Sequence, residues 1–167
     1  MTARLSRSLS LRRLLRDGEV HVDANAEERE TIAAALDLLD LDALSATVHA
    51  TPYRRQGVEL RGTVSADLVQ PCVVSLEPVP AHVHEAFHIR LHPDAAPAGA
   101  DVDPDGEDPP ERLEGEVVDV GAIVLEHFVL GIPPYPRAEG AAFDSEEEAE
   151  QEPSPFAALA VLKSSRP

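Results

Sequence analysis

The side chains able to do chemistry gather at a few places along the chain. His82, His84, His88 and His92 recur at even positions, with Arg90 among them. In an extended strand, residues two apart point the same way, so His82 and His84 could grip one metal ion from a single face. A metal needs further ligands from another element, and the sequence marks none. The same alternation reads as the wet face of an amphipathic strand, and that reading is preferred. Cys72 is the only thiol. It becomes a nucleophile beside a base, but it stands among Pro71, Val73 and Val74, where cysteine behaves as a small buried hydrophobe. A metal-binding or thiol enzyme using the His82/His84 strand or Cys72 is therefore the alternative to a protein that works by binding.

Other chemistries lack their residues. There is no Gly-rich phosphate loop, no nucleophile elbow and no paired-cysteine zinc pattern. Asp101-Val102-Asp103-Pro104-Asp105-Gly106 begins like a calcium loop, but Pro104, Pro109 and Pro110 break the spacing. No Glu stands at loop position twelve. Two basic groups are candidates for local RNA contact: Arg12, Arg13 and Arg16, preceded by Arg4 and Arg7, and the pair Arg54-Arg55 with Arg61. Aromatic interleaving is nearly absent, with Tyr53 alone beside the second group, so base stacking has little support.

Charge limits the partners. The chain has 31 acidic and 14 basic residues in 167, a formal net charge of -17. Residues 1–100 hold 10 basic and 14 acidic residues, whereas 101–167 hold 4 and 17. Such a chain repels phosphate backbones broadly, and its acidic segments 101–119 and 139–152 suit a basic protein partner first and RNA second. One cysteine rules out an internal disulfide and fits a reducing compartment. No apolar run approaches the length of a membrane span, and the N-terminus lacks the apolar stretch of a secretory signal. The Arg, Ser and Leu content of the first sixteen residues has the composition of an organellar transit peptide; a folded or surface-lying edge segment is the other reading.

These residues must be positioned by a few elements. Glu19 to Ala24 alternate as a short strand. Asn25 followed by Glu28 forms a capping box for a helix over 26–37, with Ile32, Leu36 and Leu39 on one face. Leu44, Ala46, Val48 and Ala50 share a strand face, as do Val58, Leu60, Val64, Ala66 and Leu68 after a turn at 54–57, which makes a hairpin. Pro71 and Pro78 bracket a third apolar run, Cys72 to Leu76. A long strand follows over 79–92, with Val83, Phe87, Ile89 and Leu91 inward and His82, His84, His88, Arg90 and His92 outward. Residues 93–115 and 138–154 have too little apolar bulk to order themselves and are expected to be a flexible loop and an acidic low-complexity stretch. Asp119 caps a buried helix over 120–131, ended by Gly131, Pro133 and Pro134. The apolar end 155–163 is expected to dock on the body or on a partner. The expected fold is α+β: a curved or barrel-like antiparallel sheet with two or three short helices and flexible acidic segments, in one domain over 1–163.

Three blocks in order resemble the YceD family, the bacterial large ribosomal RNA subunit accumulation proteins. They are Val69 to Phe87, with Cys72, Leu76 and Pro78; Asp119 to Arg137, with Asp119, Glu126, Pro134 and Pro136; and Pro155 to Lys163. Members of that family often carry a cysteine pair in the first block and another near the Pro-Tyr-Pro stretch. Here Ser75 takes the second place and no cysteine lies near Arg137. A single thiolate does not hold structural zinc, so no metal site or cofactor carries over. The resemblance implies a cytoplasmic, non-enzymatic role in accumulation or processing of large-subunit ribosomal RNA. It implies as partner a large-subunit ribosomal protein or assembly factor, with ribosomal RNA touched locally at most, and no small-molecule substrate.

Overall fold

The computed structural model describes residues 3–95 and 109–142. The elements are β1 (Ser8–Ser10), α1 (Leu11–Asp17), β2 (Glu19–Asp23), α2 (Ala26–Ala35), β3 (Asp40–Tyr53), β4 (Gly57–Pro71), β5 (Pro78–His92), β6 (Glu111–Arg112), β7 (Val117–Asp119) and α3 (Val120–Gly131). Strands β2-β3-β4-β5-β6 form one sheet in that order, and β1 pairs with β7 in a second. The α+β class is as expected. The sheet, however, is open rather than barrel-like, because β2 and β6 are edges that do not meet. All its pairings are antiparallel except that of β6, which runs parallel to β5. β6 lies inside the stretch expected as a loop; residues 96–108 and 143–167 lie outside the described residues.

The long strands form because apolar residues alternate over 14 and 15 positions. Leu44, Ala46, Val48, Val58, Leu60, Val64, Ala66, Leu68, Val83 and Phe87 are all buried on one face. Leu14 of α1, Ile32 of α2 and Val120, Val124 and Phe128 of α3 cover that face and are fully buried. Burying a ring such as Phe128 contributes roughly 2–3 kcal/mol. Two glycines permit close approach. A Cβ at Gly62 would collide with the Phe87 ring of the paired strand, and one at Gly131 would strike Val83 and Glu85, so α3 lies flush on β5. Phe87 also stacks on His127 of α3, with ring centroids 4.5 Å apart.

Local helix signals hold. Asn25 accepts from Glu28 N–H, and Glu28 reaches back to Asn25 N–H at 2.9 Å. Asp119 caps α3 at its expected bounds. Four details differ from expectation. Leu39 lies beyond α2 and is 55% exposed, because that helix ends at Leu36. Cys72 to Leu76 is a tight turn, not an apolar strand-like run. His92 is buried rather than on the wet face, since its ring packs under Tyr53 and Gly57 at the sheet's end. Helix α3 is buried along one stripe only, leaving Val129 and Leu130 exposed. No helix among the described residues is long and apolar enough to cross a membrane.

Candidate partner-docking site

β4 ends at Pro71 and β5 begins at Pro78, two positions that suit proline at strand ends. Between them the chain folds back on itself. Cys72 N–H donates to the Glu77 carbonyl (2.8 Å), and Leu76 N–H to the Cys72 carbonyl (3.0 Å). Cys72 Sγ is buried and accepts from the N–H groups of Val74 and Ser75, both at 3.4 Å, and of Ala138 at 3.3 Å. The segment after α3 is stitched onto the turn. Val73 N–H donates to the Pro136 carbonyl (2.9 Å), and buried Gln70 Nε2 to the Pro133 carbonyl (3.1 Å). Cys72, Leu76, Pro78, Pro134 and Pro136 are thus brought to one end of the sheet from stretches some sixty residues apart.

This end presents apolar groups to solvent. Leu76 is 75% exposed, Tyr135 79% and Val73 49%. Leu76 has φ 62°, a left-handed conformation that costs a non-glycine residue about 1 kcal/mol. A large apolar side chain held outward by a strained, fully bonded turn marks this end as a candidate docking surface. The thiol is held well below its ordinary 9.0, to about 6. Hydrogen bonds from Ser75, side chain and backbone, and from the Ala138 and Val74 N–H groups outweigh the burial that pushes it up. These partners are donors. They stabilise the thiolate form as an acceptor.

The other two motif residues lie elsewhere. Asp119 clasps the N-terminal segment. Its carboxylate accepts from Ser6 Oγ (2.6 Å), Arg7 N–H (2.7 Å), Gly121 N–H (3.1 Å) and Ala122 N–H (3.3 Å). Burial pushes that carboxyl up, yet these bonds hold it below its ordinary value. Glu126 is exposed on α3.

The arginine candidates collect at the opposite end of β4. Arg12, Arg13 and Arg16 are exposed on α1, and Asp17 binds both Arg13 (3.4 Å) and Arg16 (2.9 Å). Ala50 N–H donates to the Gly18 carbonyl, which ties the end of α1 to β3 four residues before Arg54. The end of α1 therefore lies beside β3 near the Arg54-Arg55 turn. Arg54 and Arg90 each place a guanidinium over the Tyr53 ring, 5.0 and 5.7 Å from its centroid, a cation–π cluster. The sequence reading missed Arg90 as a neighbour of this tip; the cross-strand pairing of Glu59 with Arg90 brings it there. Arg61 lies on the open face and pairs with Glu59 (3.1 Å), which also binds His88 and meets Arg90 at 3.6 Å. His88 first, then Arg61, hold the Glu59 carboxyl down to about 2. Arg7 is spent in a two-pronged bond to Glu28.

The histidine strand is split. His82 Nδ1 binds Asp67 (2.7 Å), His84 stacks loosely beside it with centroids 6.5 Å apart, and His92 lies buried. Among the described residues, no three of His, Cys, Asp and Glu gather as a metal site would require.

A family model described as "Large ribosomal RNA subunit accumulation protein YceD" matches residues 60–163. No curated protein and no solved structure matches the chain.

Proposed function

The chain belongs to the YceD family of large ribosomal RNA subunit accumulation proteins, and from that premise we propose that it is a non-enzymatic accessory factor acting by protein binding. The match over residues 60–163 carries the link to large-subunit ribosomal RNA. The exposed apolar end formed by Cys72 to Leu76 and Pro133 to Pro136 supports binding as the mode of action. Its partner is a basic large-subunit ribosomal protein or an assembly factor, in the cytoplasm. The acidic segments 101–119 and 139–152 draw that partner in by charge. Asp119 is excluded from this role, because its carboxylate is taken up inside the fold. The arginine end, with Arg12, Arg13, Arg16, Arg54 and Arg55, touches RNA locally at most. Arg61 contributes less, being paired to Glu59.

Capture from cell extract with and without ribonuclease tests the reading. A basic large-subunit protein or an assembly factor should be retained after ribonuclease. Recovery of no ribosomal protein, ribosomal RNA or assembly factor sinks it. Normal large-subunit RNA levels and precursor pattern in a strain lacking the gene would also count against it.

A further inference from the structure

Helix α3 carries an outer face with no occupant among the described residues. Ala122, Leu125, Val129 and Leu130 line one wall of a groove of about 460 Å³, and Ala3 and Leu5 line the other. Leu130 is 73% exposed and Val129 41%, although the opposite stripe of the same helix is core. Arg4 and Glu126 border the groove, as does Asp119, whose carboxylate is bound to Ser6 and to backbone N–H groups.

We propose that the chain's own segment Phe156–Lys163 docks in this groove. The segment offers Phe156, Leu159, Val161 and Leu162 to an apolar wall. Glu152 precedes it and Lys163 closes it, charges opposite in sign to Arg4 and Glu126 on the rim. Distance does not oppose the contact. The fourteen steps from Ala142 to Phe156 span up to about 46 Å when extended, against about 18 Å for the length of α3. A tethered segment also needs no concentration to find its site, which favours it over a separate molecule. The family match ends at residue 163, the last residue of this segment. The common pattern thus takes in both the groove helix and the segment assigned to it. The inference is independent of the proposed ribosomal partner, which is assigned to the other exposed apolar surface.

Hydrogen exchange on the full chain tests it. Amides of 156–163 should exchange roughly tenfold or more slowly than an unfolded peptide does. The protection should be the same at high and low protein concentration. Leu130→Ser in the groove and, separately, Phe156→Ser with Leu159→Ser in the segment should each abolish it. Leu130 is largely exposed, so its replacement leaves the fold intact, and unchanged exchange in β4 verifies this. Unprotected amides in the unaltered chain overturn the proposal. So does protection that rises with protein concentration, which would mean a second copy, or protection that survives Leu130→Ser.

Discussion

The two ends of strand β4 are built from different forces. At the Pro71 end, backbone N–H groups, carbonyls and one buried sulfur hold a turn whose outer surface is Val73, Leu76 and Tyr135. At the Gly57 end, guanidinium groups, carboxylates and aromatic rings surround Tyr53, with Glu59 as the hub. A backbone-held apolar surface has fixed shape and gives short-range, salt-tolerant recognition. A charge-held surface acts at longer range, is screened by salt, and adds little affinity per pair. One strand thus carries two modes of contact about 46 Å apart, the length of 14 strand steps.

The largest expected effect falls on what both ends share. Asp119→Ala should cost roughly 2–3 kcal/mol in urea unfolding, since it removes a helix cap and leaves the part-buried N–H groups of Arg7 and Gly121 unpaired. Both ends should then loosen together in hydrogen exchange; loosening of one alone would show that they are not carried on one framework. Next, Leu76→Asp with Tyr135→Asp should reduce partner capture about tenfold or more, the scale of an interface hot spot. Unfolding midpoints should barely move, because both side chains are exposed. Arg54→Ala with Arg55→Ala should weaken any nucleic-acid retention by a few-fold at low salt and by nothing measurable at high salt. Equal loss at all salts would place shape recognition at this end too.

The smallest effect separates the ends by pH. Glu59 has a depressed folded value, so its stabilising contribution is present above its ordinary 4.5 and is lost as pH falls toward about 2. The Cys72 thiol is depressed as well. Its contribution is full above 9.0 and is lost as pH falls from there through about 6. Exchange, corrected for its intrinsic pH dependence, should quicken at the tip only in the acid window. It should slow at Val74, Ser75 and Ala138 between pH 6 and 9. Cys72→Ala should remove the second response and leave the first.

Local signals made much of the fold legible. Asn25 with Glu28, Asp119 with the apolar run behind it, and strict alternation in β3 to β5 each bear on neighbours in the chain. Helix α1 had such signals too. Ser10 accepts from Arg13 N–H and Gly18 takes the left-handed cap, in the stretch whose composition suits either a transit peptide or a folded edge segment. The Cys72 turn was not legible, because Val73 and Val74 have strand propensity and the bonds that override it come from Pro136 and Ala138. His92 obeys the alternation and yet is buried, since Tyr53 and Gly57 close over it from the next hairpin. The place of α1 beside β3 depends on the bond between Gly18 and Ala50, which no spacing along the chain announces.

The pairing of β1 with β7 has a consequence for how the protein comes into being. Ser8–Ser10 register against Val117–Asp119, and Arg7 N–H waits for a carboxylate 112 positions away. At synthesis rates of about 5–20 residues per second, the partner emerges several seconds to some twenty seconds later. Through that interval Leu5 has no helix α3 to lie against, while the β3–β4–β5 meander can already pair. The first strand made therefore stays unpaired until β7 has been made, and its pairing closes a loop of more than a hundred residues.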